Sequence, residues 1–92
     1  MSITVYLSGH LKSFSGGKTE ITLDLDPSSI ADALNALWNQ YPALRDRILD
    51  EQGAIRQHVN IFLGSEDVKR LNGLDTRVTV NEIHIFNAVS GG

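Results

Sequence analysis

The chain has 92 residues, 41% of them hydrophobic, with eight basic and eleven acidic residues and a formal charge of −3. That length suits one small domain and is too short for two. Cysteine is absent, which excludes disulfides, thiolate metal sites and a cysteine nucleophile, and suits a reducing compartment.

The basic residues, from Lys12 and Lys18 to Arg70 and Arg77, form no run, so nucleic acid is not an expected partner. Met1-Ser2-Ile3-Thr4 lacks the basic start and apolar run of a signal peptide. No stretch approaches the roughly 20 apolar residues of a membrane span. The expected location is cytoplasmic, with no membrane partner.

Ile3-Thr4-Val5-Tyr6-Leu7 alternates with period two and predicts a strand. Residues 11–14 lead into the turn signal Ser15-Gly16-Gly17, and Glu20-Ile21-Thr22-Leu23-Asp24-Leu25 alternates again, so the first two strands form a hairpin with a long loop. Asp26-Pro27-Ser28-Ser29 opens a helix, with Asp or Ser as N-cap and proline in the first turn. Ile30, Ala33, Leu34, Leu37, Trp38 and Tyr41 make one apolar stripe, which assigns Trp38 to the core. Pro42 ends the helix, because the residue before proline avoids the helical region. Residues 43–49 suit one or two further helical turns, broken by Asp50-Glu51-Gln52-Gly53.

His58-Val59-Asn60-Ile61-Phe62-Leu63 is a third strand, closed by Gly64. Glu66-Asp67-Val68 suits a short fourth strand, and residues 69–76, with Asn72-Gly73, a loop. Glu82-Ile83-His84-Ile85-Phe86 is the last strand. The division expected is a domain over residues 1–87 and a flexible C-terminal diglycine tail over 88–92.

One long helix stripe must pack on one sheet face, which gives an α+β domain. Its mixed sheet of four to five strands packs on one main helix, with the first and last strands side by side in the middle. That is the order of the β-grasp, the fold of ubiquitin. A ferredoxin-like domain would need a second long helix.

Alternation turns Ile3, Val5, Leu7, Val59, Ile61, Leu63, Ile83 and Ile85 toward the helix, and Tyr6, Phe62, His84 and Phe86 toward the opposite face. Exposed clustered aromatics mark an interaction surface, so these four are candidates for partner docking. Ordinary cross-strand packing, or partial cover by residues 43–49, are the alternatives.

The sequence ends in Ser90-Gly91-Gly92. A glycine carboxylate has no Cβ beside it and few backbone restrictions, so it can thread a narrow channel into another protein. A frayed end is the alternative. Other constellations are weaker. His10, His58 and His84 lack ligand spacing, so no metal is expected. Asp24 and Asp26 could flank a substrate, but helix capping accounts better for Asp26. Gly16-Gly17-Lys18 lacks the Gly-Lys-Ser/Thr phosphate-loop pattern, and no nucleophile elbow is present.

Leu-x-x-Phe-Ser-Gly-Gly at residues 11–17 resembles the first hairpin of the MoaD/ThiS-like sulfur carriers, the family of the molybdopterin-synthase small subunit. Leu34, Leu37 and Tyr41-Pro42 resemble their helix and its end. His58-Val59-Asn60-Ile61-Phe62-Leu63, Glu66-Asp67-Val68 and Gly73-Leu74-Asp75-Thr76 resemble their third strand and following loop, and Ala88-Val89-Ser90-Gly91-Gly92 their terminal motif. Two stretches depart from the family pattern. Thr79-Val80-Asn81-Glu82 replaces an acidic, glycine-containing turn, and Asn87 stands where a proline usually precedes the tail.

The resemblance implies a protein cosubstrate rather than an enzyme, with no bound cofactor. A ubiquitin-activating-like enzyme would use ATP to adenylate the Gly92 carboxylate, with Val89, Ser90 and Gly91 recognised as the tail. A persulfide or rhodanese-type donor would supply the sulfur of a thiocarboxylate, and a downstream synthase would consume it. Family members serve molybdopterin, thiamin, cysteine or thio-metabolite synthesis, and some thiolate tRNA. The chain length and residues 59–76 look closer to the molybdopterin and cysteine types. The alternative is a ubiquitin-like modifier conjugated through Gly92 to lysines.

Overall fold

The computed structural model describes residues 2–87, so the expectations for the tail, residues 88–92, lie outside the described residues. Strand β1 (Ser2–Leu7) pairs antiparallel with β2 (Glu20–Asp24) and parallel with β5 (Glu82–Asn87). Strand β3 (Val59–Leu63) lies antiparallel to β5 and to the two-residue β4 (Glu66–Asp67). The described residues thus form a mixed five-stranded sheet in the order β2-β1-β5-β3-β4, with the first and last strands adjacent at its centre as the element order predicts.

Alternation sets the faces. Ile3, Val5, Leu7, Val59, Ile61, Leu63, Ile83 and Ile85 are all buried against the helical layer. Helix α1 (Ile30–Gln40) answers with Ile30, Ala33, Leu34 and Leu37. Trp38 and Tyr41, at the end of the same stripe, are half-buried and pack against the core from its margin. The apolar stripe is therefore correct, but Trp38 is not a fully buried core residue.

The start of α1 decides between the two residue types expected as its cap. Its N-cap is Ser29, not Asp26: the Ser29 hydroxyl oxygen accepts from the Asp32 N–H at 3.3 Å. The Asp32 carboxylate reaches back to accept from the Ser28 N–H at 3.2 Å and from the Ser28 hydroxyl. This reciprocal arrangement satisfies donors that a helix start leaves unpaired. After α1, Pro42 begins a 3-10 turn (Pro42–Leu44), which runs into the single-turn α2 (Arg45–Ile48). These turns bury Leu44 and Ile48 in the same core.

The long loop between β1 and β2 holds an element that the sequence did not signal, a 3-10 helix over Gly9–Phe14. Within it Leu11 is fully buried and Phe14 packs partly against the core, too few apolar positions to mark a helical period. Gly16 and Gly17 then adopt φ of 66° and 85°, a region open to glycine at little cost. Buried Ser15 clips the turn by donating its hydroxyl to the Lys18 carbonyl at 2.5 Å. Gly64, between β3 and β4, also has positive φ (63°), and a Cβ there would come within 3.2 Å of Val80 Cγ2. Val68 does not extend β4; it starts a 3-10 turn (Val68–Arg70) and is fully buried. The following loop contains a further 3-10 turn (Gly73–Asp75). It is tied to the helix start by the Thr76 carbonyl, which accepts from the Ile30 N–H at 2.9 Å.

Candidate functional site

The sheet face turned away from the helices carries the four docking candidates, and the strand order gathers them. In the β1–β5 ladder Tyr6 lies opposite His84, and in the β3–β5 ladder Phe62 lies opposite His84 and Asn60 opposite Phe86. Tyr6 and His84 stack, with ring centres 4.8 Å apart and planes 13° from parallel. Phe62 and Phe86 meet diagonally at 5.4 Å with a 40° tilt. The two pairs sit side by side and all four residues are half-buried. Glu82 at the edge of this row holds the His84 Nε2 at 3.2 Å.

Residues 43–49 do not cover this face. Leu44, Ile48 and Leu49 pack into the core on the helical side of the sheet. Cross-strand packing does account for the ring pairs, and it leaves their outer surfaces accessible. Phe62 also walls an open depression of about 400 Å³ together with Ser65, Glu66, Asp67, Arg70 and Leu71. Leu71, 44% exposed, extends the apolar surface beyond the strands. It lies in a loop without alternation, so nothing in its sequence context gave it a face.

Val89, Ser90, Gly91 and Gly92 lie outside the described residues. Strand β5 carries His84 and Phe86 and ends at Asn87, paired with Val59, so the aromatic face and the root of the tail share one strand. His10 and His58, distant in sequence, come together on a groove beside Asn87, while His84 lies apart on the sheet face. Asp24 sits on the β2 edge strand, opposite Ser2.

The electrostatics of the described chain are plain. The Asp32 carboxyl is held below its ordinary value, chiefly by the Ser28 hydroxyl and N–H, and that serves the helix cap. The sheet face offers a shape and an apolar surface, with the His84–Glu82 contact at its edge.

The ThiS family model matches residues 5–92. The sulfur carrier protein CysO of Mycobacterium tuberculosis is 27% identical over 95 residues, covering all of both chains. Its crystal structure superposes with a TM-score of 0.83 at 26% identity over 95% of this chain and 99% of that one. Small archaeal modifier protein 1 of Haloferax volcanii is 30% identical over 87 residues, 94% of this chain and 95% of the relative. Its crystal structure gives a TM-score of 0.82 at 26% identity over the full length of both chains. A chain of the BexX/CysO complex of Amycolatopsis orientalis shares the fold, with a TM-score of 0.84 at 21% identity over 98% of this chain and 99% of that one. The architecture is the ubiquitin-like β-grasp.

Proposed function

Because the chain belongs to the ThiS family, we propose that it is a sulfur carrier whose reactive group is the carboxylate of Gly92. The observation that carries this reading is that the family match spans the domain and runs through Gly91-Gly92. A partner adenylating enzyme joins the Gly92 carboxylate to the α-phosphate of ATP, and pyrophosphate leaves. A donor persulfide attacks the activated carbonyl and expels AMP. A donor thiol then cleaves the sulfur–sulfur bond, leaving the thiocarboxylate on Gly92 and a disulfide on the donor. Activation is needed because a carboxylate is a poor electrophile, and splitting one difficult step into easier ones is the general advantage of such intermediates.

In this reading the chain is a cosubstrate working in the cytoplasm, and it binds no cofactor of its own. Tyr6, Phe62, His84 and Phe86 form the surface that meets the adenylating enzyme. Val89, Ser90 and Gly91 guide the tail, and residues 88–92 reach about 17 Å when extended. The sulfur passes to cofactor, amino-acid or thio-metabolite synthesis, with molybdopterin-type or cysteine-type acceptors favoured. The relative named small archaeal modifier protein 1 supports a second reading, in which Gly92 forms isopeptide bonds with target lysines.

Intact-mass measurement after incubation with ATP, an adenylating enzyme and a persulfide source separates the readings. A gain of about 16 Da on Gly92, from oxygen-to-sulfur exchange through the activated acyl group, is the expected result. Deletion of Gly92, or one added residue, is expected to abolish the gain without moving the melting temperature. Normal thiolation of either variant refutes the carrier reading. A ladder of covalent adducts on denaturing gels, with no sulfur exchange, favours the modifier.

A further inference from the structure

Where β5 runs out, the chain gathers cations. An open groove of about 360 Å³ is walled by His10 of the first 3-10 helix, Asp46 and Arg47 of α2, Arg56 and His58 before β3, and Asn87 at the end of β5. Both arginines are held in place. The Arg47 guanidinium carbon sits 4.4 Å from the centre of the Phe14 ring, a cation–π contact that leaves the edge N–H groups unused. Arg56 donates its Nε–H to the Asp46 carbonyl at 2.9 Å, which fixes its plane and leaves its terminal nitrogens available.

The one acid in the groove is paired elsewhere. The Asp46 carboxylate pairs with Arg45 at 3.4 Å, and among the described residues neither Arg47 nor Arg56 forms a salt bridge. Asn87 Oδ1 is buried without a hydrogen-bond partner. Two fixed guanidinium groups and two imidazoles thus share one groove with the single Asp46 carboxylate, in a chain whose net charge is −3.

The position of the groove names its occupant. Asn87 is both a wall of the groove and the residue from which the tail starts, so a protein that encloses residues 88–92 must abut it. We propose that this groove is a second docking point, which takes aspartate or glutamate side chains on the rim of the adenylating partner's tail channel; it rests on the function proposed above. A guanidinium held in a fixed plane suits bidentate pairing with a carboxylate. The aromatic face supplies apolar contact. The groove, on the other side of the tail root, supplies charge complementarity, which acts mainly on orientation and association rate.

The test measures association rates, over a range of salt, with an enzyme that releases pyrophosphate on the wild-type chain. The double variant R47Q/R56Q is expected to associate roughly 10-fold more slowly at low ionic strength and to lose most of the salt dependence. R47K/R56K keeps the charge and is expected to hold the association rate and its salt dependence near wild type, while dissociating faster because an ammonium cannot pair bidentately. If R47Q/R56Q matches wild type in rate and salt dependence, the inference fails while the proposed function stands on the pyrophosphate release. If R47K/R56K associates as slowly as R47Q/R56Q, positive charge at the groove is not what speeds docking and the inference also fails. If no such enzyme adenylates the wild-type chain, the proposed function falls and takes this inference with it.

Discussion

Ile61 and Phe62 are neighbours in β3 that face opposite sides of the sheet, so one pair of substitutions can separate folding from docking. Ile61 is fully buried, and Ile61→Val removes one methylene from a close-packed core at a cost of about 0.5–1.5 kcal/mol. Phe62 is half-buried and its main ring contact is Phe86 at 5.4 Å. Such a pair is worth about 0.5–1.5 kcal/mol beyond area burial, so Phe62→Ala is expected to destabilise by about 1–2 kcal/mol. For a domain of this size each kcal/mol lowers the melting temperature by about 4–8 °C, so the two variants are nearly matched in stability. Docking should divide them. An aromatic anchor at an interface centre is worth about 2 kcal/mol or more, which is roughly 30-fold in Kd. Calorimetric titration of the adenylating enzyme, beside thermal unfolding of each variant, reads both quantities. Phe62→Ala is expected to weaken binding about 30-fold while Ile61→Val binds as wild type. Equal binding by wild type and Phe62→Ala, or equal weakening by the two variants, refutes the assignment of the sheet face to docking.

Two further outcomes test the scaffold. The Asp32 carboxyl is depressed below its ordinary 3.8 in the folded chain, so its contribution is fully present above that value and fades as pH falls through the lower folded one. Asp32→Asn should therefore melt below wild type near neutrality, and the gap should close in acid; a gap that persists unchanged at low pH argues against the charged cap. Gly64→Ala meets both a positive φ and the Val80 methyl at 3.2 Å, and is expected to lower stability by about 1–2 kcal/mol. Chemical denaturation checks this, and an unchanged midpoint would mean that the β3–β4 turn relaxes freely.

Local chemistry determined much of this protein before any tertiary contact was considered. Alternation in three strands assigned Ile61 to the core and Phe62 to the opposite face, because side chains of an extended chain point to alternate sides whatever their neighbours. The stripe from Ile30 to Leu37 and the stop at Pro42 likewise fixed the helix, since both are properties of a short segment. The family, too, was legible in the ordered motifs ending in Gly91-Gly92.

Only the tertiary structure decided which residues meet. The stacking of Tyr6 on His84 depends on the parallel pairing of strands from opposite ends of the chain. The helix starts at Ile30, after the Ser29 cap, where the Thr76 carbonyl from a distant loop accepts from the Ile30 N–H. The groove formed by His10, Arg47, Arg56, His58 and Asn87 draws on four separate segments. No period or spacing connects them, and only packing around one shared core brings their side chains to a common surface.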